Sequence, residues 1–137
     1  MPEKLPKTMQ SAVEELQNSS SQKECLARAY ELMTTKYHGN RIKTYALLAR
    51  VFTRNIFKLW ERGGFVHCTN ANYVLRILLV KSGFFKNEDI QSKWTLVWYI
   101  SPHQYLEVTM QNGECINVDV WSAAYGLKLG EYVGGFN

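Results

Sequence analysis

A chain of 137 residues, of which 46% are hydrophobic and 20% charged, can bury one core without disulfides and is too short for two ordinary domains. The longest apolar stretch, residues 74–80, is interrupted by Arg76, which argues against a membrane span. Residues 1–4 lack the apolar run of a signal peptide, so we expect a cytoplasmic protein. The net charge is +4, and the three cysteines form no C-x-x-C pair, so we expect free thiols rather than a disulfide framework or a zinc knuckle.

Two helices are predicted at the N-terminus, separated by a polar Asn-Ser-Ser-Ser loop. The apolar residues before the loop recur on one helical face. Ser21 and Glu24 have the spacing of a capping box, which predicts the start of the second helix, and we expect that helix to end near Lys36. We therefore divide the chain into an N-terminal helical extension, residues 1–20, and a main domain, residues 21–137.

A third helix is predicted because apolar residues keep a helical period over residues 45–60, and the glycine pair at 63–64 then ends it. Arg50, Arg54 and Lys58 recur every four residues, so they line one face of this helix. A solvated helix face accounts for such a stripe, and a weak contact with an anionic partner is the alternative.

The fourth predicted helix, residues 70–82, is apolar on most sides, so we expect it to be central and buried, with Gly83 as its stop. Cys68 lies at its start. Because the positive end of a helix dipole stabilises anions, this position favours a thiolate, the nucleophilic form of cysteine. The amide of Cys68 would point toward a developing oxyanion, and the preceding glycine pair leaves room for a substrate backbone. A cysteine at a helix start is also often a buried apolar residue, so Cys68 alone leaves both interpretations open.

Beyond Gly83 the chain becomes rich in aromatic and branched residues, which predicts antiparallel strands at residues 94–100, 103–110 and 115–120. Helices followed by strands indicate an α+β fold rather than a parallel βαβ sheet. Trp94 and Trp98 share one face of the first strand, where we expect core or groove wall, with the core preferred over a nucleic-acid stacking platform.

The register of the last hairpin follows from core burial. The apolar residues of both strands are even-numbered, so paired positions must sum to an even number if both apolar sets are to reach one core. A three-residue loop over residues 111–113, with Gly113 left-handed in a bulge, meets this condition. His103 then faces Trp121, and Asp119 lies diagonal to His103, within reach of a hydrogen bond. A strand-initial histidine and a surface-paired aspartate remain the simpler alternative.

These residues resemble the transglutaminase-like core of the papain-like cysteine protease superfamily over about residues 22–126. The most specific segments are residues 64–68, entering a helix, residues 103–108, and residues 117–121. The resemblance implies a papain-like core in which N-terminal helices pack against an antiparallel sheet and the nucleophile begins a central helix.

Carried over by position, the resemblance makes Cys68 the nucleophile, His103 the base and Asp119 the group that orients the imidazole. It also makes Trp121 a shield of the acid and histidine pair against water. No cofactor or metal is implied. Residues 60–67 contain no glutamine, although papain-like proteases commonly place a second oxyanion donor there.

The expected function is therefore thiol-dependent acyl transfer on a protein or peptide amide, as a cysteine protease, an amidase or a transglutaminase-like enzyme. One alternative is a non-catalytic binding module for protein or nucleic acid on the same fold. Another is a metal site formed by Cys68, His103, Cys115 and Asp119, with His67 as a spare ligand. The predicted register disfavours the metal site because Cys115 and Asp119 lie about 13 Å apart along one strand.

Overall fold

The computed structural model describes residues 2–38, 55–97 and 101–122, which combine helices with antiparallel strands in an α+β arrangement. The helices are α1 (Lys7–Gln17), α2 (Gln22–Lys36), α3 (Ile56–Arg62) and α4 (Cys68–Lys81), and the strands are β1 (Tyr37–His38), β2 (Gly64–Phe65), β3 (Ile90–Val97), β4 (Ser101–Thr109) and β5 (Cys115–Val118). A 3-10 helix, Asn87–Asp89, precedes β3. None of the helices in these described ranges is long and apolar enough to cross a membrane.

The first two helices are confirmed, and the second has the limits predicted for it. The apolar face of α1 is buried and joins the same hydrophobic core as the rest of the described chain. Ser21 caps α2 by accepting a hydrogen bond from the Glu24 amide at 3.1 Å, and α2 ends at Lys36 as expected. The other half of the predicted capping box is wrong, because the Glu24 carboxylate binds the amide of Ser20 at 2.8 Å.

The predicted third helix is not continuous. Asn55 is extended, with φ −77° and ψ 110°, and its side chain accepts hydrogen bonds from the amides of Phe57 and Lys58. Asparagine is a strong N-cap, so this local bonding starts α3 at Ile56 although the apolar period runs through Asn55, and residues 45–54 of the predicted helix lie outside the described residues. The end of α3 is as predicted, since Gly63 has φ 56° and takes the left-handed region that glycine tolerates.

Of the predicted basic stripe, only Lys58 lies within the described residues, where it is exposed on α3. Arg50 and Arg54 lie outside them.

Helix α4 is the centre of the fold. It contacts α1, α2, α3 and β4, and its buried apolar residues include Leu75, Ile77, Leu78 and Leu79. Each such side chain contributes roughly 1.5–3 kcal/mol when it is removed from water. This burial explains why the sequence of α4 is apolar on most sides. It also fixes the position of the helix N-terminus, where Cys68 lies.

The three-stranded sheet has the order β3-β4-β5, with both pairs antiparallel. Leu106 pairs with Val118, so the register predicted from core burial is confirmed. The turn is also confirmed, because Gly113 has φ 88° and the Met110 amide donates to the Glu114 carbonyl at 2.8 Å. Strand β3 begins four residues earlier than predicted, since only Ile90 of its first residues is buried and the polar residues after it hid the strand.

A second, parallel ladder joins β1 to β2, with Tyr37 opposite Gly64 and His38 opposite Phe65. Two-residue strands leave no periodic pattern, so the sequence did not predict them. The ladder ties the end of α2 to the segment that leads into Cys68.

Candidate active site

Cys68 is the first residue of α4, as predicted. The chain reaches it through Gly63 and Gly64, both with positive φ, which lets β2 turn directly from the end of α3. His67 is extended at the N-cap position, and its carbonyl accepts the first helical hydrogen bond, from the Ala71 amide at 2.9 Å. The side chain of His67 makes no capping hydrogen bond to the first turn of α4.

His103 and Asp119 are brought together by the hairpin. His103 lies on β4, and Asp119 follows the last residue of β5. Because the β4 and β5 partners sum to 224 in the observed register, Asp119 is diagonal to His103, as predicted. His103 Nε2 lies 2.6 Å from Asp119 Oδ2, a short hydrogen bond of the kind that charged partners make.

This acid and imidazole pair is shielded from solvent. His103 is 3% exposed and Asp119 is 4% exposed. The Trp121 ring packs against the imidazole, with centroids 5.2 Å apart and an interplanar angle of 48°, which matches the predicted pairing of His103 with Trp121.

The thiol of Cys68 joins this pair. Cys68 lies close enough to His103 to help raise the pKa of the imidazole, and Cys68 is partly exposed while the imidazole is buried. Asp119 binds Nε2, which leaves Nδ1 as the ring nitrogen available to the thiol. The three side chains predicted from the sequence therefore converge in the order sulfur, imidazole, carboxylate.

The charge state of His103 follows from its neighbours. Burial by itself lowers the pKa of His103, but hydrogen bonds to Asp119 and Cys68, together with their electrostatic attraction, outweigh it and raise the pKa to about 9. An imidazole in this environment stays protonated at neutral pH.

Two polar residues at the site were not predicted from the sequence. Asn72, one helical turn after Cys68, donates from Nδ2 to the carbonyl of Gln104 at 3.0 Å and to its Oε1 at 3.1 Å. This bond joins the start of α4 to the residue that follows His103. The spacing of four from Cys68 places Asn72 on the same helical side, which is the signal that could have identified it.

The second is Ser122, whose amide donates to Asp119 Oδ1 at 3.1 Å and whose hydroxyl lies 3.3 Å from His103 Nε2. An aspartate that accepts from an amide three residues later is a common local pattern. That spacing was visible in the sequence and pointed to a constrained carboxylate.

Other candidates lie elsewhere. Cys115 is exposed at the start of β5, where it contacts Thr109. Among the described residues, no three histidine, cysteine or acidic side chains are grouped so that they could hold a metal ion. His67 is buried. The preferred core position of Trp94 is wrong, since that side chain is 60% exposed, and Trp98 lies outside the described residues.

Comparisons with protein-family models, with curated proteins and with solved structures find no match to this chain.

Proposed function

We propose that this protein is a thiol-dependent acyl-transfer enzyme in which Cys68 is the nucleophile, His103 the base and Asp119 the orienting acid. The observation that carries the proposal is a buried imidazole that binds a buried carboxylate at 2.6 Å and lies near enough to the Cys68 thiol for that thiol to help raise its pKa. A thiol, an imidazole and a carboxylate in sequence are the parts of nucleophilic catalysis.

The proposed reaction begins with the proton of the thiol on His103 and the sulfur as thiolate. The thiolate attacks the carbonyl carbon of an amide, and the electron pair of the C=O bond moves to oxygen. His103 gives its proton to the leaving nitrogen as the C–N bond breaks, which releases an amine or ammonia and leaves a thioester on Cys68. Water or an acceptor amine then attacks the thioester, with its proton passing to His103, and the thiol is regenerated.

The oxyanion that forms in this attack needs hydrogen-bond donors. The first turn of α4 supports this role because the His67 side chain does not cap it and because the N–H groups of a helix N-terminus form the positive end of its dipole. We assign one donor to the Cys68 amide. No second donor is assigned, since the segment before Cys68 holds no glutamine.

Asp119 has two functions in this scheme. By accepting from Nε2 it selects the tautomer whose Nδ1 can take the proton from Cys68, and it stabilises the imidazolium that results. Burial of both groups strengthens their attraction, because water does not screen it. Trp121 contributes by covering the imidazole.

The proposed substrate is a protein or peptide amide. The proposed enzyme is a transglutaminase-like member of the papain-like superfamily that acts in the cytoplasm. Protease, amidase and amine-transfer reactions share every step up to the thioester. Arg50, Arg54 and Lys58 are still proposed as a weak contact for an anionic partner, although α3 begins at Ile56 and the three therefore do not line one face of a single helix.

The test is the pH dependence of alkylation by iodoacetamide, with mass spectrometry to assign each of the three cysteines. Cys68 is expected to react fast already at about pH 6, where an ordinary thiol of pKa about 8.5 is almost fully protonated. Cys115 is an internal control, since it is exposed. Burial raises the pKa of the Cys25 thiol, which is fully buried, so Cys25 should react only on unfolding.

Replacing His103 by alanine should abolish the fast reaction of Cys68 and leave Cys115 unchanged. Val108→Ala is the matched control. Val108 is buried on the same strand, so its replacement should destabilise the fold without altering the site. If Cys68 and Cys115 follow the same pH profile in the native protein, and His103→Ala has no effect, the enzyme hypothesis fails and a binding module takes its place.

A further inference from the structure

Ser122 contacts both members of the acid and imidazole pair. Its amide donates to Asp119 Oδ1 at 3.1 Å, and its hydroxyl lies 3.3 Å from His103 Nε2. Ser122 is itself 3% exposed. We infer that Ser122 is a positioning residue, which holds the Asp119 carboxylate and gives the His103 imidazolium a second hydrogen-bond acceptor. The inference rests on the proposed function and adds a fourth member to its site.

The amide of Ser122 restrains the carboxylate. Asp119 Oδ2 accepts a hydrogen bond from His103, and Asp119 Oδ1 accepts one from the Ser122 amide. The carboxylate therefore cannot rotate without breaking one of these bonds. The orientation of Asp119 is thus fixed by backbone that any residue at position 122 would supply, provided that the local turn is kept.

The hydroxyl of Ser122 acts on the imidazole. Nε2 carries one hydrogen, and the 2.6 Å separation from Asp119 Oδ2 directs that hydrogen mainly to the carboxylate. The hydroxyl oxygen at 3.3 Å accepts the weaker branch of a shared bond. The opposite arrangement, in which the hydroxyl donates to an unprotonated Nε2, is unfavourable. It would set the lone pair of Nε2 against that of Asp119 Oδ2 across 2.6 Å, and it would leave Nδ1 protonated and unable to accept a proton from Cys68.

Ser122 is not an alternative nucleophile. Its oxygen contacts the nitrogen that Asp119 already binds, whereas a nucleophile must give its proton to the opposite ring nitrogen. Its burial also keeps a substrate carbonyl away. Cys68 is partly exposed and meets both conditions.

The titratable groups that act on the imidazole are Asp119 and Cys68. Ser122 has no charge, so its hydroxyl can only modify the pKa of His103 that these two groups set. Loss of an acceptor from a protonated imidazole lowers its proton affinity, and the thiolate form of Cys68 falls with it. Because a bond of 3.3 Å is at the long end of the range, we expect a fall of roughly 0.5 pH unit in the His103 titration midpoint and alkylation of Cys68 slower by up to about threefold near pH 6.

The experiment compares Ser122→Ala with Ser122→Thr, which keeps the hydroxyl. The His103 midpoint is read by NMR of ¹⁵N-histidine-labelled protein, assigned by loss of its signal in His103→Ala, and Cys68 alkylation is measured in parallel. Ser82→Ala is the matched control, since Ser82 is a buried serine that binds the Leu79 carbonyl at the far end of α4, about 20 Å from Cys68 at 1.5 Å per residue.

The expected result is a lowered midpoint and slower alkylation in Ser122→Ala, recovery of both in Ser122→Thr, and no change in Ser82→Ala. A midpoint in Ser122→Ala equal to that of the native protein overturns the inference. So does a Ser122→Ala protein that does not fold while Ser82→Ala does, because the hydroxyl would then serve stability. If Cys68 of the native protein is alkylated fast and Ser122→Ala changes neither the rate nor the His103 midpoint, only the role of Ser122 is refuted. If Cys68 of the native protein is alkylated slowly, both the proposed function and this role are refuted.

Discussion

Replacing Asp119 by asparagine should change how the stability of the protein depends on pH. Burial opposes protonation of His103, but hydrogen bonds and attraction to Asp119 and Cys68 raise its pKa from 6.5 to about 9 on folding. The folded protein therefore holds this proton more tightly than the unfolded chain does. The resulting stabilisation is complete below about pH 6.5 and is lost as the pH rises through about 9. A rise from 6.5 to about 9 corresponds to roughly 3 kcal/mol.

Asp119→Asn keeps the shape of the side chain and removes the partner that contributes most to raising the pKa of His103. The free energy of unfolding is measured with urea at constant ionic strength from about pH 6 to about pH 10 in both proteins, so groups that titrate equally in each cancel. The native protein should be more stable than the variant near pH 6. The difference between their free energies of unfolding should narrow by about 1–2 kcal/mol or more toward pH 10. Parallel curves over the whole range, with the variant folded, would refute the reasoning.

Three further predictions concern stability. Leu78→Ala empties a fully buried position in α4 and should cost about 2–5 kcal/mol of unfolding free energy in urea titrations, whereas Trp94→Ala at an exposed position should cost about 0.5 kcal/mol or less. Gly113→Ala should lower stability by about 1–2 kcal/mol, measured by thermal unfolding, because φ is 88° and no neighbouring atom lies near the added carbon, so only backbone strain acts; an equally stable variant would contradict this. Asn72→Asp should destabilise more than Asn72→Ala in the same assay, because it sets a carboxylate against two oxygens of Gln104.

The elements that could be predicted from the sequence are those whose patterns are long or whose rules are strict. Helix α4 was predicted because nearly every side of it is buried, and the hairpin register followed from the requirement that two apolar sets face one core. The break at Asn55 was missed because an apolar period carries no information about a side chain that bonds to its own backbone. The short ladder of β1 and β2 was missed because two residues are too few to leave a periodic pattern.

The site shows the same division. Cys68, His103 and Asp119 could be predicted because helix start and strand register determine where side chains converge. Asn72 and Ser122 were not predicted: their spacing from Cys68 and Asp119 was visible in the sequence, but their bonds to Gln104 and His103 depend on the final packing. Trp94 was misplaced because strand parity identifies which face a residue is on and does not report how far the covering helix extends.

The hairpin has a consequence for when the thiol becomes reactive. His103 and Asp119 are 16 residues apart in the chain and belong to one local unit, so they can meet early as the chain folds. Cys68 belongs to a different unit and comes near His103 only when α4 docks on the sheet. Under the proposed function, a nascent or partly unfolded chain therefore carries an ordinary thiol, and its chemical reactivity arises only after the tertiary structure has assembled.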